Sequence, residues 1–386
     1  MRIAYITETY PPEDNSVALF VERTVLFLRD RGHEVELIRP RQSGESSSDT
    51  VNEWRSASLP FPRRPDLRCG LAFVETLNKR FARSRPELVH IATQGPLGHS
   101  ALLAAEQRGL PVTTDFQTDF HSYTREYRLG ILQPFIRNYL RKFHNRGRRT
   151  FVPSHSVQND LVVEGFQRLE VVGRGVDTDL FSPAMRSRQL RAAWGVIQDD
   201  QLVLLYVGRL IPEKNVALAL RAFEIVRYLR PLTRMIVVGD GPLHRQLETA
   251  FPDAQFVGAK QGEDLARHYA SADLFVLPCE SKTFGNVTLE AMSSGLAVIA
   301  FNTAAAADHI SHGENGAVVA PGDQLGFMEA VCRHAAIDRE LLAPMRTSAR
   351  KKALNVTWDK VLGNFEDHLV STAMTTPRES PRRIVA

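Results

Sequence analysis

Short apolar runs alternate along this chain with longer segments whose apolar residues recur every three or four positions. The runs at 2–7, 88–91, 202–207, 235–238, 273–278 and 296–300 have the largely apolar character of strands buried on both faces, and 34–38 and 111–115 read as further strands. The segments between them predict helices over 17–31 (closed by Gly32), 71–83, 155–164, 216–230 and 263–270. Strand and helix in turn is the pattern of a doubly wound α/β sheet. The pattern restarts at Leu202, which predicts two such domains, 1–183 and 184–356. Residues 42–50 are polar and serine-rich and read as a loop; Leu59 to Pro65 reads as an extended, proline-rich connection.

One stretch organises the second half. Glu280 to Gly295 lies between two buried-strand runs, so it is the loop and helix of a βαβ unit. In open parallel sheets ligands sit at the carboxyl ends of strands, where this loop falls. The helix predicted from near Asn286 carries Glu290 about one turn in. A carboxylate there can accept a pair of hydrogen bonds from a sugar diol, and a helix start favours phosphate. The residues alone equally allow an ordinary crossover with a solvated glutamate. A second loop, Gly208 to Asn215, follows the strand at 202–207. Gly208 lets backbone turn close to a ligand, Arg209 offers a fork to phosphate and Lys214 a point charge. The alternative is a capped helix with surface charges. Gly239-Asp240-Gly241 is a tight turn without the third glycine of a dinucleotide fingerprint.

These strings resemble the retaining nucleotide-sugar glycosyltransferases of family 4, over roughly residues 2–372. The resemblance is strongest at 208–215, 284–295 and the hinge-like run Gly173 to Pro183. It is nearest to bacterial GDP-mannose-dependent α-mannosyltransferases and glycolipid glycosyltransferases. It implies the GT-B arrangement, two doubly wound domains facing across a cleft, with a C-terminal helix (357–374) crossing back to an acceptor-binding first domain. It implies that Arg209 and Lys214 stabilise the leaving diphosphate. Glu290 would hold the ribose, Phe284, Gly285, Asn286 and Val287 would present backbone to sugar and phosphate, and Gly208, Gly239 and Gly241 would line the nucleotide. Three positions depart from the family pattern. Lys282 stands where a first glutamate contacts the donor sugar, so a donor-only group replaces an acceptor-only one. Gln117 stands where the family commonly has histidine, and Ser16 where it usually has glycine. The implied function is transfer of mannose, glucose or glucuronate from a nucleotide-diphosphate donor to a hydroxyl, with a membrane lipid such as diacylglycerol as acceptor. The alternative reading is a nucleotide-binding partner or regulator that has lost transfer; an epimerase on the same architecture is a minor third. No metal or cofactor is expected, the nucleotide sugar being a substrate. The paired acids Asp177 and Asp179 are better explained by the hinge than by a metal.

Composition changes the picture little. The 386 residues are 43% hydrophobic and 24% charged, ordinary for a globular protein. Three scattered cysteines (Cys69, Cys279, Cys332) suit neither a disulfide framework nor metal spacing, and a reduced, cytoplasmic setting is expected. The net charge of +4 matters through its distribution. Residues 125–149 hold eight Lys and Arg to a single acid, Glu126, with apolar residues at helical spacing. Such a helix can lie on an anionic membrane, so peripheral contact on the inner face of the cell membrane is expected through 125–149 and 59–68. A helix with a core face and a solvated basic face is the alternative. No nucleic-acid motif is present. The tail 375–386 reads as disordered.

Overall fold

A computed structural model describes residues 1–13, 15–42, 45, 52–61, 64–117, 133–198, 200–280 and 286–375. The chain forms two units. The first comprises Met1–Pro153, Gln158–Val172 and Leu362–Ala386; the second comprises Ser154–Val157 and Gly173–Val361.

In the first unit eight strands form one sheet in the order β4-β3-β2-β1-β5-β6-β7-β8. They are β1 (Arg2–Ile6), β2 (Glu34–Pro40), β3 (Glu53–Phe61), β4 (Arg64–Leu71), β5 (Leu88–Ile91), β6 (Val112–Asp115), β7 (Arg149–Val152) and β8 (Leu169–Val171). All neighbours run parallel except β3 and β4, and Ile3 stands opposite both Val35 and Leu88. Of the stretch expected to be an extended connection, residues 59–61 end β3 and residues 64–65 begin its antiparallel partner β4, while 62 and 63 lie outside the described residues. Pro60, Pro62 and Pro65 broke the alternation that marks a strand. Prolines are tolerated at edges, and the ladder is irregular at Pro60/Phe61. The helix expected from Leu71 begins at Val74 instead, because β4 runs to Leu71.

The second unit holds β9 (Val203–Val207), β10 (Arg234–Val238), β11 (Gln255–Phe256), β12 (Leu274–Leu277), β13 (Ala297–Phe301) and β14 (Gly316–Val319). They form a parallel sheet in the order β11-β10-β9-β12-β13-β14. Leu204, Leu205, Phe275, Val276 and Ile299 are fully buried between helix layers. Each such side chain contributes about 1.5–3 kcal/mol relative to exposure. Strand order reverses between β9 and β12, the place where ligands bind in open sheets of this kind.

The units divide at Gly173, earlier than the 183/184 boundary expected from sequence. The cause is local. Phe181 is buried in the second unit's core, and its carbonyl accepts from Ser293 Oγ at 2.6 Å and Arg350 Nη1 at 2.8 Å. Asp177 caps the turn that leads there, accepting the N–H groups of Asp179 and Leu180 at 3.1 and 3.0 Å. The C-terminal helix, Trp358–Met374, rejoins the first unit from Leu362 onward. There Phe365 meets Phe151 at 4.8 Å, and Glu366 bonds His33 at 2.8 Å and Arg31 at 3.1 Å.

Candidate active site

At the carboxyl ends of β9, β12 and β13 the second unit encloses a cavity of about 270 Å³. Gly208, Arg209 and Lys214 contribute one wall from the loop after β9. Cys279 lies just past β12, Val287 and Thr288 open the helix Val287–Ser293, and Thr303 to Ala306 follow β13. Arg209 is exposed, and neither it nor Lys214 has a carboxylate partner among the described residues. The Lys214 ammonium lies 3.4 Å from Cys279 Sγ. Two cations without such a counter-charge, at the end of a parallel sheet, make a site prepared for an anion. The described lining offers no Asp or Glu.

Glu290 lies three residues beyond Val287 on the same helix, partly exposed. Its Oε2 accepts from the Tyr269 hydroxyl at 3.0 Å. Desolvation raises its carboxyl to about 7, against the smaller opposing effect of that hydrogen bond. Tyr269 is completely buried between Phe181 and Phe275, and burial, then the nearby Glu290, raises its hydroxyl far above the usual phenol value.

The structure brings Gly208, Arg209, Lys214 and Val287 to one cavity, with Glu290 a helical turn away. Asn286 is the residue before the helix, and its carbonyl accepts from Glu290 N at 2.8 Å. Lys282, Phe284 and Gly285 lie outside the described residues. Gly239 and Gly241 do not line the cavity. Their glycine character has another cause: a Cβ on Gly239 would stand 1.9 Å from the Gly208 carbonyl oxygen, and one on Gly241 2.5 Å from that of Leu210. They let the loop after β10 brace the phosphate-type loop. Ser16 and Gln117 belong to the first unit. Ser16 opens the helix Ser16–Asp30, capped by Asn15. Gln117 Nε2 donates to Asp115 Oδ2 at 2.7 Å, and that oxygen stands 3.4 Å from His90 Nε2.

Sequence reasoning missed several groups. Cys279 counted only as an unpaired thiol, although it directly precedes the Glu280–Gly295 stretch. Ala304 to Ala306 form a cavity wall, and Ala304 has φ +45°, for neither of which an alanine run gives a sequence signal. In the first unit Glu8 follows β1 and accepts from Gly70 N at 2.5 Å and Leu97 N at 2.8 Å. Burial outweighs these bonds and raises its carboxyl to about 7. An isolated Glu after a strand carries no sequence signal for this.

Of the basic segment, the helix Gln133–His144 is described. Leu140 and Phe143 face the core, whereas Phe135 is 72% exposed, and Arg141 and Lys142 are exposed about two turns further along the helix. Arginines of the segment are tied internally: Arg141 to Asn138 Oδ1 at 3.1 Å and the Glu164 carbonyl at 3.3 Å, Arg146 to Glu106, and Arg148 to the carbonyl of Thr375. Among the described residues no group of His, Cys, Asp or Glu is placed to hold a metal, and no helix is long and apolar enough to cross a membrane.

The arrangement has close relatives. Residues 201–336 match the family model "Glycosyl transferases group 1", and residues 17–180 match "Glycosyltransferase Family 4". The chain is 33% identical to a GDP-mannose-dependent alpha-mannosyltransferase of Mycolicibacterium smegmatis, over 95% of this chain and 97% of that one. It is 27% identical to an alpha-monoglucosyldiacylglycerol synthase of Streptococcus pneumoniae, over 78% and 71% of the two chains. In fold it resembles Anabaena Alr3699/HepE, solved in complex with UDP, with a TM-score of 0.73 at 18% identity, covering 96% of this chain and 100% of that one.

Proposed function

Since the chain belongs to the family 4 glycosyltransferases, and is thus a hexosyltransferase, we propose that it moves a hexose from a nucleotide-diphosphate sugar to a hydroxyl of a membrane lipid, with retention. The observation that carries this reading is the cavity in which Arg209 and Lys214 have no carboxylate partner among the described residues, with Glu290 beside it. The bond from the anomeric carbon to the diphosphate oxygen breaks, and a bond to the acceptor oxygen forms. The acceptor's proton leaves with the diphosphate. Arg209 and Lys214 stabilise the charge that develops on the leaving group, the electrostatic effect that usually dominates such transfers. Glu290 accepts from the ribose hydroxyls. The described lining presents no carboxylate nucleophile, in keeping with substitution on one face of the sugar. No step of this scheme calls on a metal.

The lipid acceptor is supported by the glucosyldiacylglycerol-forming relative and by exposed Phe135 with Arg141 and Lys142 on one helix. An exposed apolar side chain and cations on one helix suit an anionic bilayer surface. Lys282 replaces an acceptor with a donor at the position the family gives to sugar contact, which suits an anionic hexose such as glucuronate.

The test is turnover of UDP-glucose, UDP-glucuronate, UDP-galactose and GDP-mannose on diacylglycerol vesicles, by the protein and by Lys282→Glu. The expected result is transfer from one donor, lost or switched in the variant. Turnover by the variant alone would show that Lys282 is a lost contact. Binding of nucleotide without transfer by either form would overturn the lipid acceptor.

A further inference from the structure

We propose that Tyr269 is the positioning residue of the nucleotide site: its hydroxyl occupies one oxygen of Glu290 and so leaves the other, Oε1, oriented for the ribose hydroxyls. This inference rests on the reading of Glu290 as a ribose ligand. Neither the family match nor the composition of the cavity points to Tyr269, which lies on the helix Gly262–Ser271 rather than on a loop facing ligand.

Geometry carries the inference. Tyr269 has no solvent exposure, and its ring is fixed edge-on against Phe181 at 5.7 Å and tilted against Phe275 at 5.7 Å. A ring locked this way delivers its hydroxyl to one place, and that place is Glu290 Oε2. Among the described residues Tyr269 is the hydrogen-bond partner of this carboxylate, so Oε1 is uncommitted. A carboxylate with one oxygen pinned loses rotational freedom before ligand arrives, which lowers the ordering cost of binding.

Other charged groups near the helix Val287–Ser293 are engaged elsewhere. Arg346 and Arg350, from the helix Arg339–Ala353, bond the carbonyls of Gly295 and Ser293. Asp308 and His309, on the helix Ala304–His309, interact with His155 and Lys352. Tyr206 of β9 lies near enough to raise the Tyr269 hydroxyl electrostatically, the smallest of the effects on it. The bond from Tyr269 favours the ionised carboxylate against a larger desolvation. The ionised form is the stronger acceptor for a diol. Affinity for nucleotide should therefore fall as pH drops through about 7, and removing the hydroxyl should move that midpoint upward.

The experiment is calorimetric titration of UDP and GDP, from pH 5.5 to 8.5, into the full-length protein, Tyr269→Phe and Glu290→Gln. Tyr269→Phe should weaken binding about tenfold at pH 7, the loss of one hydrogen bond to a charged group, and shift the midpoint to higher pH. Unchanged affinity and midpoint in Tyr269→Phe, with Glu290→Gln weakened, would overturn the positioning role alone. Unchanged affinity in Glu290→Gln would remove Glu290 from the site and the inference with it. A Tyr269→Phe protein that melts lower but binds with the same pH profile shows a packing role only and also overturns the proposal.

Discussion

The carboxyl ends of the two sheets are built from similar residues to opposite effect. In the second unit Arg209 and Lys214 have no carboxylate partner among the described residues, around a cavity of about 270 Å³. In the first unit several polar groups near the strand ends are engaged within the unit, while Asp115 Oδ1 and His144 Nε2 are buried without a hydrogen-bond partner among the described residues. Glu8 is held by two backbone N–H groups, Asp115 by Gln117, and His144 by Thr114 at 2.8 Å. Positive charge with no carboxylate beside it, at the wall of a cavity, marks a site for an anion. The difference is sharpest for Gln117. It stands where the family places a histidine near the donor, yet its amide is committed to Asp115.

The largest effect should come from Arg209→Ala, which removes one of the two cavity cations. Turnover should fall by about 10²–10³, the usual cost of a group that stabilises developing charge. Gln117→Ala should cost less than about tenfold, since its amide is already engaged. Equal losses in the two variants would erase the contrast between the units. Steady-state turnover on the donor that proves active decides it.

Gly239→Ala tests the bracing of the cation loop. The new methyl would lie 1.9 Å from the Gly208 carbonyl oxygen, so backbone must move, and a stability loss of about 3 kcal/mol or more is expected. Gly109 of the first unit also has positive φ, at +67°, but a methyl added there would meet nothing within 4 Å. Gly109→Ala should cost only the backbone term, about 1–2 kcal/mol. Urea denaturation of both variants measures the gap, and equal losses would mean that the close approach at Gly239 relaxes freely.

These contrasts explain what was legible in sequence. Apolar runs announced most central strands, above all in the second unit, because strands buried on both faces admit few other residues. The Gly208–Asn215 and Glu280–Gly295 stretches pointed to the end of the second sheet where the cavity lies, because a glycine turn with cations and a helix start follow strands there. Strands β3 and β4 were hidden by prolines, which fall at the end of β3 beyond its pairing with β2 and on the edge strand β4, where their cost is low. Tyr269 was hidden because its ring reads as core, and only its position shows where the hydroxyl goes. Ala304 was hidden because nothing in an alanine run signals positive φ.

Acid should act on the first unit through His144. Burial lowers its imidazole to about 3, far below the value of 6.5 expected of an exposed ring. The unfolded chain therefore binds a proton that the folded one refuses between those values. The stability contributed by neutral His144 is complete above about pH 6.5 and is lost as pH falls, at roughly 1.4 kcal/mol per pH unit. His144→Asn should flatten this slope in denaturation series at pH 7, 6 and 5. A slope unchanged in the variant would place the acid sensitivity in another group.

The smallest effect returns to the cavity wall. Ala304 has φ +45°, where an alanine is strained by about 1–2 kcal/mol. Its neighbour Thr303 holds the turn: Oγ1 donates to the Cys279 carbonyl at 3.1 Å, and the Thr303 carbonyl accepts from Ala306 N at 3.0 Å. The wall thus joins the ends of β12 and β13, and the strain is imposed by that junction rather than by the alanine run. Ala304→Gly removes the methyl without touching the junction. It should raise the melting temperature by about 2–4 °C for about 1 kcal/mol of relief, in a unit whose natural sequence left stability unrealised beside its site. An unchanged melting temperature would mean that the greater freedom of glycine in the unfolded chain cancels the relief. A higher melting temperature with weaker nucleotide binding would show that the methyl shapes the cavity, and that the strain is kept for the ligand.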